Sequence, residues 1–279
     1  MKIAVLFDGA GLARLGLEQA GHDCTGFELD PAKHYLSQMV GSGKSVLADV
    51  RDVDLSSFDA VWASPPCQEW SDQDHGNRKE SSYSDPDLLW WSLDIPKRWP
   101  NIKVLWVENV MGSHGKHNND WGTKFNAVQF LTHPIQKRRR IIGGIYKMPS
   151  VYRPFQWNYP DLDICPSVMA SEVKQGGQAR TPDKERRKAT RWYGRPLSIR
   201  EMSYHQGFDI PDGLLKSWFY IPPFENPKTG KLYTDSQWKK VLSSAIGNGV
   251  PVYMARAFGE VYGIKQMRPI EQLSLFEAA

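Results

Sequence analysis

The chain has 279 residues, with 35 Lys+Arg against 31 Asp+Glu and a formal net charge of +4. That length suits one large domain, or a medium domain with a small companion, and it can bury a full core without a disulfide or a metal. Three cysteines (Cys24, Cys67 and Cys165) exclude a disulfide scaffold, and neither C-x-x-C nor H-E-x-x-H occurs. No run of about 18 apolar residues exists to span a membrane, and the N-terminal apolar run is too short for a signal peptide. We therefore expect a cytoplasmic protein with no membrane contact and no metal. The 11 Trp are expected mainly as core anchors.

Residues 3–7 are a short apolar run, as in a buried strand, and a turn at Gly9 and Gly11 follows. From Leu12 apolar residues recur at helical spacing until Gly21. Residues 24–27 form a second strand. Asp30 caps and Pro31 opens a helix expected to reach about Gly41, because the missing proline N–H costs nothing at the first helical position. Residues 46–47 and 60–63 are further strands. A helix starts at Asp85-Pro86 and runs to Ile95, and residues 102–107 are a strong strand. This alternation predicts a doubly wound α/β fold with a parallel sheet and its ligand at the carboxyl ends of the strands. Residues 146–243 are rich in Pro, Gly, Trp, Tyr and charge with no long periodic segment, which predicts a loop-rich second region. Periodicity returns as a helix over 250–262.

The expected strand ends carry chemistry. Phe7-Asp8-Gly9-Ala10-Gly11 brings backbone close to a ligand, although Arg14 stands where a dinucleotide fingerprint has its third glycine. Glu28 ends the second strand, where it could accept both ribose hydroxyls. Asp49 ends the third, where it could accept from an adenine amino group. The alternative is that both are solvated strand ends. Cys67 follows Pro65-Pro66 directly after a strand, as either a thiolate nucleophile or a small buried hydrophobe. Glu108 ends the neighbouring strand and could serve as a general acid.

Pro66-Cys67-Gln68 and Glu108-Asn109-Val110 resemble the two catalytic motifs of the DNA (cytosine-5) methyltransferases. Four further motifs follow the family order: Phe7-x-Gly9-x-Gly11; Gln136-x-Arg138-x-Arg140; residues 195–201 with Gln206-Gly207-Phe208; and Gly247-Asn248-Gly249-Val250. The likeness runs from residue 3 to about 262. It implies an S-adenosylmethionine-dependent methyltransferase (Rossmann-like) domain over 1–145 and 245–264. A small irregular target-recognition region over 146–244 and a tail over 265–279 complete the expected organisation.

The resemblance implies that S-adenosylmethionine is the cofactor. Phe7 stacks on its adenine, Glu28 holds the ribose, Asp49 the adenine amino group, and Asn248 closes the site near the methionine end. Gly9, Gly11, Leu29, Val50 and Pro66 complete that site. Cys67 attacks C6 of the target cytosine and Glu108 bonds the N3 edge. Arg140 and Arg138 orient the base or hold its flanking phosphate. Gln68, Ser71, Gln136, Lys137, Arg139, Arg191 and Arg195 face double-stranded DNA. The target atom lies inside a duplex, so the base is flipped out.

The chain departs from the family in places. Only residues 111–135 separate the Glu108 motif from Gln136, and the recognition region is compact, which suits a short DNA target. Residues 209–244 look inserted, with Trp218, Phe219, Tyr220 and Trp238 either forming a small local core or joining recognition. The polar loop from Asp72 to Asn77 fits a lid over the flipped base. His75, His114 and His117 lack metal-ligand spacing. The tail residues Gln272, Leu273, Leu275 and Phe276 resemble a bacterial sliding-clamp-binding peptide.

These features lead us to expect a monomeric DNA (cytosine-5) methyltransferase of a phage or a stand-alone bacterial system rather than a restriction–modification partner. An RNA cytosine-5 methyltransferase is the alternative within the family, but its Cys-Phe-Thr tripeptide is absent. A catalytically inactive DNA-binding regulator is opposed by the joint presence of Cys67 and Glu108. The charge is uneven: residues 131–200 hold 15 Lys+Arg against 5 Asp+Glu, a net of +10, which leaves −6 for the rest. The basic segment is where phosphates are expected to lie, with strongly salt-dependent binding.

Overall fold

The computed structural model describes residues 1–66, 87–111, 121–131, 135–156, 193, 195–227 and 229–263, with Tyr159, Leu162, Ile164, Cys165 and Ser167. Its centre is a sheet of β1 (Lys2–Leu6), β2 (Asp23–Glu28), β3 (Ser45–Leu47), β4 (Ala60–Ala63), β5 (Val104–Asn109), β6 (Thr123–Asn126) and β7 (Arg139–Ile145). The strand order is β3-β2-β1-β4-β5-β7-β6. The first five strands pair in parallel, as expected from the βαβ pattern. The far edge corrects that expectation, because β7 runs antiparallel to β5 and to β6. A parallel pair needs a crossover connection, usually a helix. The described part of the link from β6 to β7 instead holds one 3₁₀ turn (Ala127–Phe130).

The sheet is covered on both faces. Ile3, Val5, Trp62 and Trp106 pack with Leu17, Met254 and Phe258 on one side. Their strand neighbours Ala4, Leu6, Val61, Leu105 and Val107 pack with Leu89 and Ile95 on the other. This is the period-2 alternation of a strand realised as two cores.

Helix α1 (Leu12–Gln19) follows β1, and α2 (Pro31–Ser37) follows β2. The Asp30 carboxylate accepts from the Ala32 and Lys33 amides, so the expected cap forms. The helix ends at Ser37 and not at Gly41. The Arg14 guanidinium there donates to the Ser37 and Val40 carbonyls at 2.7 and 3.1 Å, while the Val40 and Gly43 amides close short turns on the same two carbonyls. The expected helix to Ile95 divides into α3 (Asp87–Leu93) and α4 (Ile95–Arg98). Pro96 has no N–H to give to the Ser92 carbonyl.

The region expected to be loop-rich contains α5 (Ile199–His205), α6 (Asp212–Phe219), a hairpin of β8 (Glu225–Asn226) and β9 (Lys231–Leu232), and most of α7 (Asp235–Gly247). The 13-residue α7 corrects the expectation of no long periodic segment. Thr234 and Gln237 make a capping box, and Trp238, Leu242, Ala245 and Ile246 form its buried stripe. That stripe joins Trp218 and Tyr233 in a core shared with Ala32, Leu36 and Val40 of the sheet domain. The Trp238 indole N–H donates to the Trp218 carbonyl at 2.7 Å. The aromatics of 209–244 thus build a local core seated on α2, while Phe219 and Tyr220 remain exposed.

Helix α8 (Val252–Glu260) lies against α1. The backbones approach so closely that a β-carbon on Gly16 would stand 2.3 Å from the Val252 carbonyl oxygen. Gly16→Ala is therefore expected to destabilise the fold by about 1–3 kcal/mol through overpacking. Thermal unfolding checks this, and an unchanged midpoint would contradict it.

Candidate active site

A cavity of about 520 Å³ opens at the carboxyl ends of β1, β2, β4 and β5, with α7 forming one wall. Phe7, Gly9, Glu28, Leu29, Asp49, Val50, Pro66, Asn248, Glu108 and Arg140 all line it. The sequence analysis named all ten, and they come together from segments up to 241 positions apart.

The turn after β1 is conformationally unusual. Phe7 has φ 59°, and Gly9 and Gly11 have φ 60° and 81°. A left-handed phenylalanine costs free energy that the surrounding structure must offset, and such residues cluster at functional sites. Gly11 stands beside the cavity and not among its lining residues. A β-carbon on it would meet the Arg14 guanidinium at 2.7 Å, so the close approach it permits is to protein.

The two acids differ in what they have left to offer. Glu28 accepts the Gly9 amide on Oε2 at 2.8 Å and the Asp30 amide on Oε1 at 2.9 Å. A carboxylate oxygen has about two acceptor positions, so each oxygen keeps one for a ligand hydroxyl. Asp49 caps the 3₁₀ turn Val50–Asp52 and forms an ion pair with Arg51, whose hydrogen bonds hold its carboxyl below the usual range.

At the other end of the cavity Arg140 pairs with Glu108 at 2.5 Å, both nearly buried. The antiparallel β5–β7 pairing makes this possible by setting Glu108 opposite Ile142, two residues from Arg140. The Asn109 side-chain amide donates to the Pro65 carbonyl at 3.2 Å, tying β5 to the segment that leads into Cys67. Cys67, Gln68, Ser71 and Arg191, the loop of 72–77, His75, His114 and His117, and the tail residues Gln272, Leu273, Leu275 and Phe276 lie outside the described residues.

Two expected nucleic-acid contacts turn inward. Gln136 is fully buried and donates to the His205 carbonyl and the Gln206 side chain. Arg138 is 3 % exposed and donates to the Gly247 and Gly249 carbonyls at 2.7 and 3.1 Å. Gln136 thus braces the end of α5, and Arg138 the chain on either side of Asn248. Arg139 is exposed, Lys137 is half-buried, and Arg195 is exposed but paired with Glu201. The basic stretch of 137–140 is thus divided between surface and interior.

Arg195 hydrogen-bonds Glu201 and, with the Ser198 cap, pulls the Glu201 carboxyl down to about 2. A depressed carboxyl stabilises the fold above its unfolded value, near 4.5, and that contribution disappears as pH falls towards 2. Glu201→Gln should remove this acid dependence, an effect of about 1 kcal/mol at this partly exposed site. Unfolding midpoints of the two proteins that differ equally at every pH between these values would contradict it.

Sequence reasoning missed a buried network beside the cavity. The Arg14 guanidinium binds Asp8 at 3.1 Å and Glu18 at 3.0 Å, and the Ser37 hydroxyl donates to the same Asp8 oxygen. Burial raises the Asp8 carboxyl above its ordinary range against the pull of Arg14. Arg14 registered in the sequence only as a missing glycine. Lys240, Val241 and Ser244 of α7 also line the cavity, in a region expected to be irregular.

Residues 1–133 match the family model for C-5 cytosine-specific DNA methylase. No curated protein matches the chain. Among solved structures, the Dnmt2 methyltransferase of S. pombe is similar with a TM-score of 0.54 and 14% identity over 94% of this chain and 97% of that one. The Entamoeba histolytica methyltransferase EhMeth has a TM-score of 0.53 and 12% identity, over 94% and 96%. A prophage-encoded DNA modification methyltransferase (E. coli) has a TM-score of 0.51 and 13% identity, over 94% and 98%. At such identities these likenesses establish the fold. The chain has a Rossmann-like methyltransferase fold, and the match to the C-5 cytosine-specific DNA methylase family model covers its residues 1–133.

Proposed function

We propose that this chain is a DNA (cytosine-5) methyltransferase that uses S-adenosylmethionine. The observation that carries this reading is one cavity holding both Glu28, with two spare acceptor positions, and the buried Glu108–Arg140 pair. The volume of about 520 Å³ fits a nucleoside-sized ligand. Glu28 would hold the ribose hydroxyls, Phe7 and Val50 the adenine, and Asn248 the amino-acid end. The cofactor, when bound, supplies a methyl group on a sulfonium.

Cytosine C5 is a poor nucleophile, and this chain's residues activate it. The Cys67 thiolate adds to C6, and Glu108 gives a proton to N3, so the ring becomes an enamine whose C5 takes the methyl group. A base then removes the C5 proton, the C6–S bond breaks, and N3 returns its proton to Glu108. Arg140 holds Glu108 in place for both transfers. Glu108→Gln is expected to slow turnover by roughly 100- to 1,000-fold while DNA still binds. Methyl-transfer rates near wild type would place another group at N3.

We assign double-stranded DNA as substrate and keep the expected boundaries of 1–145 with 245–264, 146–244 and 265–279. A cytoplasmic monomer of phage or stand-alone bacterial origin fits the compact recognition region. The tail is assigned to a sliding clamp, and a calorimetric titration in which Leu275→Ala and Phe276→Ala leave clamp binding unchanged would end that assignment. Expression in a methylation-free host, followed by genome-wide mapping of 5-methylcytosine, tests the main reading. A methylated short motif supports it; 5-methylcytosine in RNA alone, or none at all, overturns it.

A further inference from the structure

Arg51 donates to both carboxylate oxygens of Asp49. The Arg51 backbone amide donates to Oδ1 at 3.0 Å, and its Nε donates to Oδ1 at 3.0 Å and to Oδ2 at 3.2 Å. Its Nη2 donates to Oδ2 at 2.6 Å. An ionised aspartate offers about four acceptor positions, and three N–H groups of one residue, with the Nε–H shared between both oxygens, occupy most of them. Glu28, across the same cavity, has one amide on each oxygen and keeps two positions open. Both Asp49 and Arg51 line the cavity, and the Arg51 side chain is 54 % exposed, so the guanidinium has room to leave.

We propose that Arg51 is a built-in competitor for the adenine-reading carboxylate, so that it sets the affinity and the base selectivity of the cofactor site. An adenine amino group is a donor and competes with the guanidinium N–H groups for the Asp49 oxygens. A purine with an oxo group at that position is an acceptor, which repels Asp49 but meets the released guanidinium. Arg51 therefore weakens binding of the amino purine and narrows its advantage over the oxo purine. Arg51→Ala keeps the backbone amide that Asp49 caps, so the turn survives while both guanidinium donors are removed. An exposed ion pair is worth up to about 1 kcal/mol, so the gain in affinity is expected to be up to about five-fold.

This inference rests on the adenosyl reading of the cavity, and calorimetry separates the two. The probes are S-adenosylhomocysteine and its 6-oxo counterpart S-inosylhomocysteine, titrated into the full chain, wild type and Arg51→Ala. Arg51→Ala is expected to bind the adenosyl probe several-fold tighter and the inosyl probe no tighter. Arg51→Lys, which keeps the charge but not the two-pronged geometry, should fall between. The difference between wild type and Arg51→Ala should shrink at about 1 M salt, where screening acts within roughly 3 Å. Equal or weaker adenosyl binding by Arg51→Ala overturns the competitor role while leaving the adenosyl site intact. Absence of adenosyl binding by the wild type overturns the adenosyl reading, and this inference with it.

Discussion

Cys67→Ala is expected to abolish methyl transfer, lowering turnover by at least about 10,000-fold, while S-adenosylhomocysteine still binds. The proposed reaction needs a covalent bond at C6 to make C5 nucleophilic, and no charge stabilisation by Glu108 replaces that bond. The described structure fixes the segment that leads into Cys67. Pro66 lines the cavity, and Asn109 fastens the Pro65 carbonyl to the end of β5, one residue from Glu108. Single-turnover assays with labelled cofactor, together with trapping of a covalent complex on DNA containing 5-fluorocytosine, measure the effect. Rapid turnover by the alanine variant would show that Cys67 is not the nucleophile.

Arg14→Met is expected to cost about 3–5 kcal/mol of stability, because it strands the Asp8 carboxylate in the interior. Both side chains of the pair are 0% exposed. Arg14 also satisfies the carbonyls that end α2, so its loss loosens α1 from α2 as well. For a chain of this size the melting temperature should fall by roughly 6–20 °C. Adding Asp8→Asn should recover part of the loss, since it removes the stranded charge. A double variant no more stable than Arg14→Met would mean that the guanidinium's carbonyl contacts, and not the buried charge, hold the turn.

The candidate site was legible wherever chemistry sits at a strand end. Glu28, Asp49 and Glu108 were placed from short apolar runs followed by an acid, and β4 was found at 60–63 with the observed bounds. For Glu108 this works because β5 is buried along its whole length, so the strand is apolar until its end and its first polar residue marks the edge where ligands gather. Helix α7 was missed because Trp238, Leu242 and Ile246 are spaced among Lys, Ser and Gln, and the surrounding aromatics masked the period.

Other features were beyond any local pattern. Gln136 and Arg138 stand in a basic, polar stretch that reads as surface. Only the approach of the segment before β7 to distant parts of the chain shows that they bond carbonyls at 205, 247 and 249. Arg14 reads as a defect in a glycine pattern until α2 is brought over it. The amino-acid sequence by itself determined the alternating α/β order, the parallel strands and the acids at their ends, since these follow from periodicity and from what a buried strand tolerates. The tertiary structure alone decided that β7 and β6 run antiparallel, that Arg140 reaches Glu108, and that Arg51 binds Asp49. Each of these depends on which distant or turning segments meet, and hydrogen-bond capacity is used up only once they do.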